Sequence, residues 1–210
     1  MPICDLSLSD FTYELASSSP APGGGSASAL AGALSASLSS MVANLTIGKK
    51  GYEKHFDEMS EIAGQAQQLR KDLITLIDAD SESFNDFLCA MKLPKQTDEE
   101  KVIRSQKIQQ ALKKSSEIPM QIAQKSFLIF DLAEKALSNG NQNAVTDALV
   151  SVMLARTAVL GALLNVRINL QSIKDQTFVN QMSKQADLLQ HQTEDKERTL
   201  LSMKSFLFTP

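Results

Sequence analysis

Tryptophan is absent from this 210-residue chain, cysteine and histidine occur twice each, and aromatic residues make up only 5%. Two cysteines, Cys4 and Cys89, are too few for a disulfide framework. Both are expected as reduced thiols, with Cys89 packed inside a helical pattern. His55 and His191 stand apart from each other and from the cysteines, so no metal-ligand cluster can be read and no metal is expected. β-branched alternation is nearly missing, which leaves little to build a sheet from. The net charge of -3 gives no basic surface for nucleic acid or an anionic membrane. No positive segment leads into an apolar run at the start, where Asp5, Asp10 and Glu14 fall, so a secretory signal is not expected and a cytoplasmic location is. Residues 27–47 are long enough to span a bilayer, but five serines among them argue for a buried helix instead.

What remains is helix signal from end to end, with 43% hydrophobic residues to fill one core. The expected fold is all-α: a single domain over residues 1–210, an up-and-down bundle of long helices around one buried central helix. A short helix begins after Ser7 or Ser9. A second spans about 25–48, with Leu30, Leu34, Leu38, Met41 and Leu45 on a stripe expected to face the core. Its small residues Ser28, Gly32, Ser35, Ser39 and Ala43 form another stripe, open to close approach by this chain or a partner. A long helix covers about 52–93 and stops before Pro94. Thr97-Asp98-Glu99-Glu100 is a capping box for the fourth. Pro119 reads as the first turn of a fifth. Asn139-Gly140-Asn141 is a stop and a restart. The sixth, about 142–170, is apolar nearly all round and is the expected central helix. The last starts at Asp175 and runs toward an amphipathic tail near Phe206.

Pro20-Ala21-Pro22-Gly23-Gly24-Gly25-Ser26 precedes the second helix. Glycines leave backbone N–H groups uncovered, and a helix start carries unpaired N–H groups with a positive dipole end. Together they could hold an oxygen of a carboxylate, phosphate or carbonyl. Pro22 stiffens the entry and Ser26 is a candidate cap. The segment serves equally as a plain loop and cap. It is neither a P-loop nor a dinucleotide fingerprint, since no Gly-Lys-Ser/Thr closes it and no strand precedes it.

The long helix carries Met59, Ile62, Ala66, Leu69, Leu73, Ile77, Phe84, Phe87 and Met91 at spacings of three and four. The gap between Ile77 and Phe84 is filled by Asp80, a carboxylate where the core wants leucine. Such a placement is costly unless compensated, and desolvation raises a carboxyl pKa toward general acid–base use. The competing account pairs Asp80 with Arg104 or Arg156. Asp78, on another face, reads as exposed. The sixth helix adds Asp147, Asn165 and Asn169 on one face, with Asp147 roughly 27 Å from Asn165. Buried amides are more often satisfied structural groups than ligands. Lys49, Lys50 and Lys95 are surface candidates for anions.

Five segments in order carry a resemblance: Ser19 to Ser26; Met41 to Lys50; Asp78-Ala79-Asp80-Ser81-Glu82-Ser83-Phe84 with Leu93-Pro94-Lys95; Gly140-Asn141 with Thr146-Asp147; and Asn165-Val166-Arg167-Ile168-Asn169-Leu170. The chain resembles the cyclodeaminase domain of the formiminotransferase-cyclodeaminase family, which includes a bacterial methenyltetrahydrofolate cyclohydrolase. The resemblance implies an all-helical homodimer that binds a tetrahydrofolate derivative, polyglutamated or not, without cofactor or metal. It implies Asp80 as proton acceptor, with Pro22, Gly23, Gly24, Gly25, Ser26, Lys49, Asp147, Asn165 and Asn169 as substrate-binding positions. The implied reaction is conversion of 5-formiminotetrahydrofolate to 5,10-methenyltetrahydrofolate and ammonia. The alternatives are cyclohydrolase chemistry at the same site, or an idle helical assembly module. Thr146 stands where serine is expected, and no formiminotransferase domain lies within these residues.

Overall fold

A computed structural model describes residues 2–208, and seven α-helices account for most of them: α1 (Leu8–Leu15), α2 (Gly24–Asn44), α3 (Phe56–Met91), α4 (Asp98–Phe127), α5 (Ile129–Asn139), α6 (Val145–Leu170) and α7 (Gln176–Ser202). No strand occurs among the described residues. The helix starts are chemically marked as the sequence suggests. Ser7 accepts from Asp10 N–H, Thr97 and Glu100 complete a capping box, and Asp175 accepts from Phe178 N–H. The side chain of Phe206 lies outside the described residues.

Paired contacts show that neighbours run antiparallel. Ser35 meets Ser151 across α2 and α6, and near the ends of these helices Asn141 meets Thr46 while Asn165 lies beside Gly24. Lys125 meets Asp72, and Ser115 meets Ser83, across α3 and α4. Arg167 meets Asp187 and Arg156 meets Glu197 across α6 and α7. Helices α2 and α6 lie at the centre. The first packs on α3, α4, α5 and α6, and the second on α2, α4, α5 and α7.

The orientation of α2 reverses the sequence expectation. Its buried face is the small one: Ser28, Gly32, Ser35, Ser39 and Ala43 are buried, whereas Leu34, Met41 and Leu45 are exposed. Small residues let two helix backbones approach closely, and the gain is a buried serine ladder. Ser35 Oγ donates to the Ser151 carbonyl at 2.7 Å, Ser151 Oγ donates to the Ser35 carbonyl at 2.8 Å, and Ser39 Oγ lies 2.9 Å from Ser151 Oγ. A Cβ at Gly161 would lie 2.5 Å from Ser28 Oγ, so glycine allows the approach without displacing that hydroxyl. The close partner of the small stripe is therefore this chain's own α6. Helix α6 is correspondingly buried on the α2, α4 and α7 sides but leaves Val150, Leu164 and Ile168 open.

Pro119 does not begin a helix; it lies inside α4, and the break comes at Leu128. Proline removes the N–H that would bond the carbonyl four residues earlier, here that of Ser115. Asn169 Nδ2 donates to that carbonyl at 2.6 Å. A side chain from α6 thus replaces the missing backbone donor and lets α4 run through its proline.

Three smaller expectations also change. Cys89 is exposed rather than packed. Asp78 is half-buried, its Oδ1 accepting from the N–H groups of Ile3 at 2.6 Å and Cys4 at 3.1 Å, which pins the N-terminal turn to α3. Its hydrogen bond, with burial, pushes the Cys4 thiol up to about 11. The α3 stripe holds as core from Met59 to Ile77, but Phe84 and Phe87 are half-buried and Met91 is exposed.

Candidate active site

Asp80 breaks the apolar stripe of α3 where that helix crosses the start of α2. Ser26 Oγ donates to Asp80 Oδ2 at 2.9 Å, and the Ser26 backbone N–H adds to the hold. The same hydroxyl lies 3.1 Å from Ser81 Oγ. Desolvation pushes the Asp80 carboxyl above its ordinary range, and the Ser26 contacts only partly oppose it. Neither candidate arginine reaches it: Arg104 donates to the Met91 carbonyl at 3.0 Å and Arg156 pairs with Glu197 at 2.7 Å. Among the described residues no cation pairs with Asp80. A half-buried carboxylate, held by a serine and lacking a counter-ion, is suited to taking and returning a proton.

The glycine run makes this placement possible for a steric reason rather than a conformational one. Positive φ among the described glycines occurs at Gly48 and Gly51, not at residues 23–25. A Cβ on Gly25 would lie within 2.6 Å of all three atoms of the Asp80 carboxylate group. The carboxylate rests directly on the bare Cα of Gly25. Gly23 takes the N-cap position, so Ser26 does not cap α2; it sits in the first turn and faces Asp80. The positive end of α2 is thereby occupied by a carboxylate of the chain itself. A Cβ on Gly24 would come 3.2 Å from Asn165 Nδ2, a lesser intrusion. Pro22 is buried behind the loop, joined to Ala21 by a cis peptide bond.

A cavity of about 270 Å³ opens beside Asp80, walled by Gly23, Gly24, Gly25, Asn165 and Asn169 among the expected positions. Ser81, Ser83, Phe84, Ser115 and Ile168 also line it, and sequence reasoning did not single them out as site residues. The serines could have been suspected only as neighbours of Asp80. Ser115 comes from α4, which carried no motif. Ser83 Oγ donates to the Asp80 carbonyl at 2.8 Å, Ser115 Oγ to the Ser83 carbonyl at 3.0 Å, and Asn169 to the Ser115 carbonyl. This chain of bonds ties α3, α4 and α6 together around the cavity. Asn165 Nδ2 donates to the Gly161 carbonyl at 2.9 Å, in its own helix. A second cavity of about 250 Å³ shares Phe84, Ser115, Ile168 and Asn169 with the first and adds Phe87 and Leu112.

Lys49 and Asp147 are not brought to this cavity. Lys49 Nζ donates to Asn141 Oδ1 at 2.5 Å, beyond the far end of α2, and Asp147 lies in the first turn of α6. Eighteen residues of helix separate Asp147 from Asn165, about 27 Å. A cavity of about 490 Å³ between α3 and α4 is also elsewhere, and its acid–base pair Lys114–Asp86 is already closed at 2.8 Å. Among the described residues no group of three His, Cys, Asp or Glu could hold a metal ion.

The bond from Asn169 to the proline-freed carbonyl makes a prediction. Asn169→Ala leaves the Ser115 carbonyl without a donor, at a cost of about 1–3 kcal/mol. Pro119→Ala restores the backbone donor. Asn169→Ala should therefore lower the melting temperature much less in a Pro119→Ala background than alone, as a double-mutant cycle read by thermal denaturation. Equal losses in both backgrounds would refute the coupling.

Fold and site together define an all-helical bundle in which one desolvated carboxylate is set on a helix start beside a mixed polar and aromatic cleft. The chain belongs to the formiminotransferase-cyclodeaminase family, whose model matches residues 7–188. It is 39% identical over 180 residues to a methenyltetrahydrofolate cyclohydrolase of Methylorubrum extorquens, covering 86% of each chain. It is 33% identical over 196 residues to the formimidoyltransferase-cyclodeaminase of Gallus gallus, covering 93% of this chain but 36% of that longer protein. The crystal structure of a formiminotetrahydrofolate cyclodeaminase from Thermotoga maritima superposes with a TM-score of 0.87 at 30% identity, over 98% of both chains.

Proposed function

We propose that this chain is a folate one-carbon enzyme, a formiminotetrahydrofolate cyclodeaminase, with Asp80 as its proton-transfer residue. The observation that carries the reading is the Asp80 carboxylate, desolvated and without a cation, at the wall of the cavity. The family of the chain and the named activities of its relatives supply the substrate class. N10 of 5-formiminotetrahydrofolate attacks the carbon of the formimino group, protonated on its imino nitrogen, and a tetrahedral carbon joins N5, N10 and the amino group. Asp80 takes the proton from N10 and gives it to the amino nitrogen. The carbon–nitrogen bond to that group breaks, ammonia leaves, and the N5 and N10 electron pairs stabilise the methenyl cation. Holding N10 against the carbon supplies rate through proximity. No step as written calls for a cofactor. A cytoplasmic location fits a soluble folate substrate.

The two adjoining cavities suit the two halves of a folate. The polar one, lined by the Gly23–Gly25 backbone and the Asn165 amide, matches the heteroatom edge of a pterin. The one walled by Phe84, Phe87, Leu112 and Ile168 matches the aminobenzoyl ring. Phe87 belongs to the second only. Stacking on an aromatic side chain is typically worth about 1–3 kcal/mol. Phe87→Ala should raise KM roughly 10- to 100-fold with kcat little changed, by steady-state kinetics. A lowered kcat at unchanged KM would place Phe87 elsewhere in the mechanism.

A cyclohydrolase is the second reading, favoured by the 39% identity and matched length of the bacterial relative of that name. Water would add to the same carbon and the ring would open, through a tetrahedral centre in the same place. The test is absorbance of the methenyl chromophore with purified protein. Its appearance from 5-formiminotetrahydrofolate, with ammonia, supports the first reading. Its loss from 5,10-methenyltetrahydrofolate above the uncatalysed rate supports the second. Turnover of neither would leave an idle helical module. A homodimer belongs to the same proposal.

A further inference from the structure

The hydroxyl that holds Asp80 has more acceptors within reach than protons to give. Ser26 Oγ lies 2.9 Å from Asp80 Oδ2, 3.1 Å from Ser81 Oγ and 3.3 Å from the Ile77 carbonyl oxygen. A serine hydroxyl carries one proton and two lone pairs, so Ser26 can donate to one of the three at a time. Both serines are buried. Among the described residues, the hydrogen-bond partner of Ser81 Oγ is Ser26 Oγ.

The charge on Asp80 decides the direction of this chain. An ionised carboxylate is the nearest of the three acceptors and the strongest, because a hydrogen bond to a charged group is roughly twice as strong as a neutral one. Ser26 then gives its proton to Asp80, and the proton shared by the two serines comes from Ser81. Each bond polarises the next, so the Ser81 hydroxyl strengthens Ser26 as a donor. When Asp80 takes up a proton, the pull of the charge is gone. Ser26 can then turn its own proton to the Ile77 carbonyl while it still accepts from Ser81. One small rotation of a buried hydroxyl thus serves both states of an acid–base group.

We propose that Ser81 is a positioning residue, which acts through Ser26 alone by aiming the Ser26 hydroxyl at Asp80 and so favours the ionised carboxylate. Other groups leave this role to the serines. Asp80 is the one titratable residue among those lining its cavity, and α2, packed against it, carries no titratable side chain. On α4, Lys113 pairs with Asp175 and Lys114 with Asp86; on α6, Arg167 pairs with Asp187. On α3 itself, Asp78 accepts from the N–H groups of Ile3 and Cys4, and Glu82 lines a separate groove with Pro2 and Asn85. The link from Ser81 to turnover rests on the folate reading. The link from Ser81 to the protonation of Asp80 does not.

The test titrates Asp80 directly, by carbon-13 NMR of aspartate-labelled protein, with Asp80→Asn identifying the signal. Ser26→Ala should raise the Asp80 pKa by about 1–2 units, the usual worth of a hydrogen bond to a charged group. Ser81→Ala should raise it by roughly 0.2–0.6 unit, since a second bond strengthens the first by about 10–30%. Both shifts are upward, because each change weakens the hold on the ionised form. In a Ser26→Ala background, Ser81→Ala should add nothing. Ser81→Thr and Ser81→Val fill the same space and differ in the hydroxyl, so valine should titrate higher than threonine by a similar amount. Equal titration of that pair, or a full Ser81→Ala shift without the Ser26 hydroxyl, overturns the proposal and makes Ser81 a packing residue. A second arm follows kcat/KM against pH with whichever folate is turned over; its acid limb reports the free enzyme and should move with the titration. Shifts seen by NMR with an acid limb that stays in place would sink Asp80 as the base and leave the positioning role standing.

Discussion

Asp80→Asn is expected to lower turnover by about 10²–10⁴-fold, the usual worth of general acid–base catalysis, while substrate affinity changes little. The amide keeps the shape of the carboxylate and a partner for Ser26 Oγ, but it cannot carry the proton. Stability should move the other way. Burial holds the Asp80 carboxyl above its ordinary value of 3.8, so the folded chain binds that proton more tightly than the unfolded chain. The folded state therefore loses stability as pH rises from the unfolded value through the folded one, and the deficit persists above it. Asparagine has no such deficit. The variant should melt higher than wild type at neutral pH, and the advantage should vanish as pH falls below 3.8. The acid limb of the wild-type pH–rate profile should correspondingly lie above the ordinary carboxylate range. A variant that melts lower at neutral pH and binds poorly would make Asp80 a structural group; near-normal turnover would end its catalytic role.

Gly25→Ala is the second large effect. A single methyl group at this position would overlap the Asp80 carboxylate, which is short and cannot swing clear without leaving Ser26. Turnover should fall by about as much as in Asp80→Asn, roughly 10²-fold or more. Helix content should hold, because alanine is the better helix former by about 1 kcal/mol in a helix interior. The two changes act on one group, so the double variant should be no worse than the poorer single one. Gly24→Ala is the control: its methyl meets only the Asn165 amide, at 3.2 Å, and should cost far less. Equal losses at both glycines would mean that the loop works through its backbone conformation instead. A stable, active Gly25→Ala would show that the carboxylate does not rest on that Cα.

Glycine has this role here because of a neighbour in space that no local pattern reveals. The run of three glycines suggested a backbone kept bare for a ligand oxygen. The structure places an oxygen of the chain's own Asp80 there, 55 residues away in sequence. The position of Asp80 itself was legible, because a carboxylate at the missing step of an apolar stripe needs only helical periodicity to be noticed. Pro119 misled for a related reason. Proline ends a helix when nothing answers the carbonyl it frees, and the answering donor, Asn169, comes from a different helix.

The sequence alone determined the helical class, the caps at Thr97 and Asp175, a first helix starting at Ser7 or Ser9, the restart at Asn141 and the place of Asp80 at the gap in an apolar stripe. Each depends on neighbours within a few residues, where spacing and side-chain chemistry are sufficient. Only the tertiary structure decided which face of α2 is buried. Large residues gain more from burial one by one, but the serines and glycines of α2 and α6 let the backbones close and bond through Ser35 and Ser151, leaving Leu34 and Leu164 outside. It likewise decided which polar residues share a site. Asn165 and Asn169 join Asp80 because antiparallel α2 and α6 bring the end of one helix to the start of the other. The same antiparallel pairing carries Lys49 and Asp147 to the far end, since helix length fixes their distance and no packing within one chain can shorten it.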